Sequence, residues 1–198
     1  MLAYRWEIGD TTQGPARHLL EQMTALLNFN ENFVSDDTFM VDLTYLRPPR
    51  GTGRRKLGSD AFVNMVKSKH SCIESTNKDA LCCARALLTA RAHRQKDQSH
   101  QHWNDFNAIK KGTSVQKTKA VELHRLAKVP EGPCGLPEIR QLEKVLSDYQ
   151  VVVVSANHGS AIVHCGPPAP QQLILLAHQE HYDVITKLNA YFGVNYFC

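Results

Sequence analysis

Asn77-Lys78-Asp79-Ala80-Leu81-Cys82-Cys83-Ala84-Arg85-Ala86-Leu87 runs from a polar turn straight into a helix, with a cysteine at the junction. Asn77 and Asp79 are turn and N-cap residues. From 84 to 92 the chain is rich in Ala, Leu and Arg, all strong helix formers. A thiol at a helix N-terminus sits where backbone N–H groups and the helix dipole favour an anion, which lowers its pKa. Cysteine is also at home as a small buried hydrophobe. The stretch alone leaves both roles open: a nucleophile, or two core thiols.

Outward from this helix, residues 15–27 carry Ala16, Leu19, Leu20, Met23, Leu26 and Leu27 at helical spacing, with Pro15 in the first turn. Residues 39–46 alternate as a half-buried strand, ended by Pro48 and Pro49. A basic run follows, Arg47, Arg50, Arg54, Arg55 and Lys56. It reads as a loop, since no aromatic residues interleave it as single-strand nucleic-acid binding requires. Residues 60–67 form a short helix with Phe62, Val63 and Val66 inward. Beyond the Cys82 helix, 95–102 is a break. Trp103, Phe106 and Ile109 mark a helical turn, and Thr113 or Ser114 caps a helix to about Ala127.

Val129-Pro130-Glu131-Gly132-Pro133-Cys134-Gly135 is a turn that no helix or strand can absorb. Pro137 opens the next helix, with Ile139, Leu142, Val145 and Leu146 as its apolar face. Residues 149–154 are a β-branched run and a buried strand, and 161–164 and 172–176 are two more strands. Helices first and short strands late define an α/β (α+β) fold with a small, mostly antiparallel central sheet flanked by helices.

The 198 residues suffice for one domain with a real core. Composition is that of an ordinary globular chain, 42% hydrophobic and 21% charged, and the net charge of +4 is mild. No run approaches the roughly 18 apolar residues of a membrane span, and no signal-peptide core opens the chain. Six cysteines without a secretion signal read as reduced thiols of a cytoplasmic or nuclear protein. Ten histidines raise zinc, but no cysteine pair stands at ligand spacing, so no metal or other cofactor is expected.

A second stretch bears on chemistry: His178-Gln179-Glu180-His181-Tyr182-Asp183-Val184-Ile185. Tyr182, Val184 and Ile185 favour a return strand, in which His181 and Asp183 share a face. A thiolate nucleophile needs a base, and the base needs a group that fixes its tautomer. Cys82, His181 and Asp183 supply the three kinds. Read by residues alone, a His-x-Asp on a strand is equally a surface pair.

The segment 79–87 resembles the nucleophile motif of the OTU (ovarian tumour) cysteine proteases, D-G-N-C-L-F-R-A, with Asp79, Cys82, Arg85 and Ala86 in register. Residues 132–139 resemble the family's W-G-G-x-x-E-L block, and His181-Tyr182-Asp183 is similar to its terminal H-Y-[DN]. Ala80 and Leu81 stand where the family has Gly and Asn, and the tryptophan of the second block is missing. The resemblance implies a papain-like OTU fold and a deubiquitinase that hydrolyses isopeptide bonds after the C-terminal Gly-Gly of ubiquitin through a thioester.

By the resemblance, Cys82 is the nucleophile, His181 the base and Asp183 its orienting partner. It likewise implies an oxyanion hole at Asp79 and Cys82, and substrate contacts at Gly135, Glu138 and Tyr182. The partner implied is ubiquitin or polyubiquitin, or another Gly-Gly modifier; the residues themselves point to no membrane partner. A looser resemblance, from Leu123-His124 through the Cys134 turn to the closing 191–198, is to regions upstream of protein-primed DNA polymerases in Maverick/Polinton-type elements and related viruses. It implies that Cys198 opens a small zinc module in a longer chain. Two alternatives stay open: a catalytically inactive OTU-like ubiquitin-binding or nucleic-acid-associated module of such a mobile-element or viral replication protein, and a nucleic-acid accessory domain served by the basic run 47–56. Residues 1–70 read as an N-terminal α/β extension or substrate-binding lobe, and 71–198 as the catalytic core, compact enough together for one domain.

Overall fold

The computed structural model describes residues 49–52, 71–75, 77 and 79–193, with Glu21 and Thr24, both helical and exposed. By its contacts the chain divides into Met1–Tyr45 and Leu46–Cys198, and the sheet and its helices all belong to the second unit. The rest of the helix expected at 15–27, the strand at 39–46 and the helix at 60–67 lie outside the described residues. Of the basic run, only 49–52 is described.

The Ala-rich segment forms α1, Cys82–Gln95, and almost every residue from Cys82 to Ala92 is buried. A helix apolar on all sides must be enclosed, and α1 is: the last two strands of the sheet lie on one side, α2 (His100–Lys110) and α3 (Ser114–Ala127) on the other. The polar turn does not cap α1 as its residue types suggest. Leu81 is the N-cap residue and makes no side-chain bond. Asp79 is spent elsewhere: its Oδ1 accepts from the Leu81 N–H at 3.3 Å and from Arg85 Nε at 3.0 Å.

The break expected over 95–102 is narrower. Ser99 caps α2 by accepting the His102 N–H at 3.2 Å, so the helix starts three residues before Trp103. Thr113 is the N-cap residue of α3 as read, and Lys128 ends it in the left-handed region. In α4, Leu136–Val145, the Gly135 N–H donates to Glu138 Oε2 at 2.7 Å, a capping arrangement with Pro137 in the first turn. Ile139, Leu142 and the following Leu146 are buried, but Val145, expected in the core, is exposed. Glu143 takes the inward place, because His164 Nε2 meets its Oε1 at 2.9 Å.

Among the described residues five strands form one sheet in the order β1-β5-β4-β2-β3, with β1 Cys72–Ile73, β2 Tyr149–Ser155, β3 Ala161–Cys165, β4 Gln171–His178 and β5 His181–Ile185. Only β2 and β4 are parallel; the other three pairings are antiparallel. The fold is α+β with a mostly antiparallel sheet. β4 and β5 join through Gln179 and Glu180, both at positive φ, the geometry of a two-residue hairpin that follows the sheet's twist.

Side chains of the sheet divide strictly. Val151, Val153, Leu173, Leu175, Ala177, Tyr182 and Val184 pack with α1 in the main core. Val152, Val154, Ile174, Leu176 and Ile185 form a second cluster on the other face, with Tyr191 of α5, Leu188–Phe192.

Arg85 ties the helices to the polar turn. It is buried, its guanidinium bridging both Asp79 oxygens and donating from Nη1 to Gln116 Oε1 at 2.6 Å. Arg85→Met is expected to lower stability by about 3 kcal/mol, read by urea unfolding, since it strands a carboxylate and a buried amide. A second expectation concerns pH. Burial, reinforced by Lys96 and Arg94, pushes the His93 pKa down to about 4 where its ring packs edge-on to Phe106. The unfolded chain therefore binds the proton first, and stability falls as pH drops from about 6.5 towards 4. His93→Gln should flatten that part of the curve.

Candidate active site

Cys82 is the first residue of α1, where first-turn N–H groups have no acceptor within the helix. The turn before it is held by Asp79, whose carboxyl lies below its usual range: burial works against ionisation, and Arg85 outweighs it. The Leu81 N–H is committed to Asp79, so an oxyanion at this turn would look to the helix's own first N–H groups. Cys82 itself is fully buried.

His181 and Asp183 come together on the same side of β5, as the period of two requires. His181 Nε2 lies 2.8 Å from the Ser75 carbonyl oxygen and 3.6 Å from Asp183 Oδ1. Asp183 Oδ1 also accepts the Ser75 N–H at 2.9 Å. Both neighbours of Nε2 are acceptors only, so that nitrogen carries the proton. Nδ1 is buried and, among the described residues, has no hydrogen-bond partner.

Among the described residues no hydrogen bond joins His181 Nδ1 to Cys82. Tyr182 and Val184 are the β5 residues that share a cluster with Cys82, while Ile185 belongs to the opposite face. By alternation His181 and Asp183 face away from the α1 side. At 181–183, however, β5 has no strand beside it on the β1 side among the described residues, because β1 pairs only through Ile73 to Val184. Ser75 lies at this open rim, its N–H donating to Asp183 Oδ1 and its carbonyl facing His181 Nε2.

What Cys82 does meet is a thiol-rich cluster. Gly51 lies so close that a Cβ built on it would fall 2.8 Å from Cys82 Sγ and 2.5 Å from the Tyr182 ring. Tyr182 is buried, and its hydroxyl donates to the carbonyls of Pro49, at 3.2 Å, and Cys134, at 3.3 Å. Burial, with the thiols around it, pushes the Tyr182 pKa up. Gly135 and Glu138 satisfy one another at the start of α4.

Two residues not singled out as chemistry complete the cluster. Cys134 Sγ lies 4.0 Å from His124 Nε2, and His124 Nδ1 lies 3.3 Å and 3.1 Å from the carbonyls of Val129 and Pro130. The carbonyls fix Nδ1 as the protonated nitrogen, so Nε2 faces the thiol. The Cys83 thiol donates to Cys134, which holds Cys134 down to about 6 against burial, with His124 adding to the effect. The same bond, with burial, raises Cys83, and the thiolate in turn raises His124. In the sequence His124 stands only within the Leu123-His124 run of the looser resemblance; what could have marked it is a histidine ten residues before a cysteine, across a Pro-Gly turn.

Among the described residues no group of three or more His, Cys, Asp or Glu is arranged to hold a metal, and no helix is long and apolar enough to cross a membrane. No family model, curated protein or solved structure matches the chain.

His124→Gln is expected to move the Cys134 thiolate midpoint upward from about 6 towards the ordinary thiol range, followed by thiolate absorbance against a Cys134→Ser control. Because the folded-state pKa is depressed, the thiolate stabilises the fold above the thiol's unfolded pKa. That contribution is lost as pH falls through about 6.

Proposed function

We propose that the chain is a cysteine-type deubiquitinase of papain-like OTU fold that cleaves isopeptide bonds after a C-terminal Gly-Gly. The observation that carries this reading is the His181 ring: Nε2 faces the Ser75 carbonyl and the Asp183 carboxylate, and Nδ1 is buried with no hydrogen-bond partner among the described residues. Such a base has one evident use, to take a proton from a nearby acid.

Cys82, on the helix N-terminus that follows the open rim of β5, supplies that acid. The reaction begins when the Cys82 thiol gives its proton to Nδ1. The thiolate attacks the terminal glycine carbonyl, and first-turn N–H groups of α1 face the oxyanion. His181 returns the proton to the departing lysine amine, and water then releases ubiquitin from the thioester. Tyr182 and the Cys134–Gly135 turn wall the approach against side chains. A reducing cytoplasmic or nuclear compartment keeps the thiol available.

A second reading, an OTU-like module that binds ubiquitin or serves a mobile-element replication protein without cleaving, is favoured by the full burial of Cys82. Ubiquitin carrying a thiol-reactive C-terminal group separates the two. The proposal expects a covalent adduct that is lost in Cys82→Ala and kept in Cys83→Ala. His181→Ala should slow adduct formation by about a hundredfold or more, and Asp183→Asn by less. Binding of ubiquitin with no adduct would favour the second reading; neither binding nor adduct would sink both.

A further inference from the structure

The backbone over 49–52 is laid across the candidate nucleophile in the manner of a bound peptide. Gly51 and Cys134 form an antiparallel bridge, with the Gly51 N–H donating to the Cys134 carbonyl at 2.7 Å and the Cys134 N–H to the Gly51 carbonyl at 3.0 Å. Thr52 continues it: its N–H donates to the Glu180 carbonyl at 2.7 Å and its hydroxyl to Glu180 Oε2 at 3.3 Å. On the other side of the glycine, the Pro49 carbonyl accepts from the Tyr182 hydroxyl. Gly51 is buried, while Arg50 and Thr52 are exposed.

Three properties of this contact go together. The held residue has no side chain, and the clash with the Tyr182 ring and Cys82 Sγ forbids one. Its recognition uses backbone groups only, so any extended glycine would satisfy it equally. And it covers the thiol that the reaction needs. A glycine-only slot beside a nucleophile is what a Gly-Gly tail requires.

We infer that 49–52 is a self-inhibiting strap: Gly51 occupies, in the resting protein, the glycine subsite formed by the Cys134 backbone and the Tyr182 ring, and a substrate tail must displace it to reach Cys82. The inference rests on the proposed cleavage reaction for the identity of the tail, but the burial of Cys82 under the strap stands apart from it.

The test uses the full chain and two strap variants. Gly51→Ala cannot fit without moving the strap. Thr52→Pro, at an exposed position, removes the N–H given to Glu180, and guards against a Gly51→Ala chain that fails to fold. Each is alkylated with iodoacetamide, modification at Cys82 is assigned by fragment mass spectrometry, and circular dichroism checks the fold. Loss of one strap hydrogen bond is expected to raise the Cys82 alkylation rate by about five- to tenfold, with Gly51→Ala at least as fast. The same variants should react faster with the ubiquitin probe. Faster alkylation without any ubiquitin adduct keeps the strap and overturns the ubiquitin reading. Unchanged alkylation in folded variants, with the probe reacting as in the parent, overturns the strap and keeps the substrate.

Discussion

The buried guanidinium of Arg85 is the constraint on which the site depends. A cation this deep in the core is tolerable only with its charge met and its donors used. Asp79 and Gln116 do both, and Gln116 is fixed in turn by donating to Thr89 Oγ1 at 3.0 Å. The consequence for chemistry is positional. The turn that delivers Cys82 to the end of α1 cannot swing freely, because its carboxylate is clamped from within the helix. The planar fork of arginine suits the task, binding two oxygens of one residue and a third acceptor of another; a lysine would leave part of this unmet.

Around that clamp the protein divides its ionisable groups between the two faces of one strand. The α1 face gathers Cys82, Cys83, Cys134, His124 and Tyr182, where thiols shift one another's protonation. The opposite face holds His181 with Asp183. β5 thus separates the two groups, and over 181–183 no strand pairs with it on the β1 side among the described residues. The proposed strap lies on the Cys82 side, so displacing it would uncover that thiol.

Much of this was legible from residues. The Ala and Leu content of α1, the valine run of β2 and the Pro-Gly turn before α4 each met the element expected, because local preference and burial agree there. The shared side of His181 and Asp183 followed from the period of a strand alone. Which face of the sheet they share did not, because that depends on where α1 packs, a matter of distant pairing. β1 escaped notice since two residues carry no pattern, and α5 since five carry little more. Val145 matched the apolar stripe, yet Glu143 displaced it inward through a histidine on β3. Gly51 and His124 could not be read at all: one matters by a missing atom, the other through a partner beyond a turn.

The two-residue length of β1 bears on how the molecule assembles. The strands from β2 to β5 are near one another in sequence, and β2 and β4 become parallel neighbours because β3 returns the chain, with no helix needed between them. This part can condense early, at small cost in loop closure. The Ser75 N–H reaches Asp183 across 108 residues, and only two paired residues precede it on that edge. The imidazole's neighbour thus comes from a contact of long sequence separation, on an edge held by two paired residues among those described. Amide exchange would mark Ser75 as faster than Val152 or Leu175, and the site's chemistry as the least firmly built portion of an otherwise closed core.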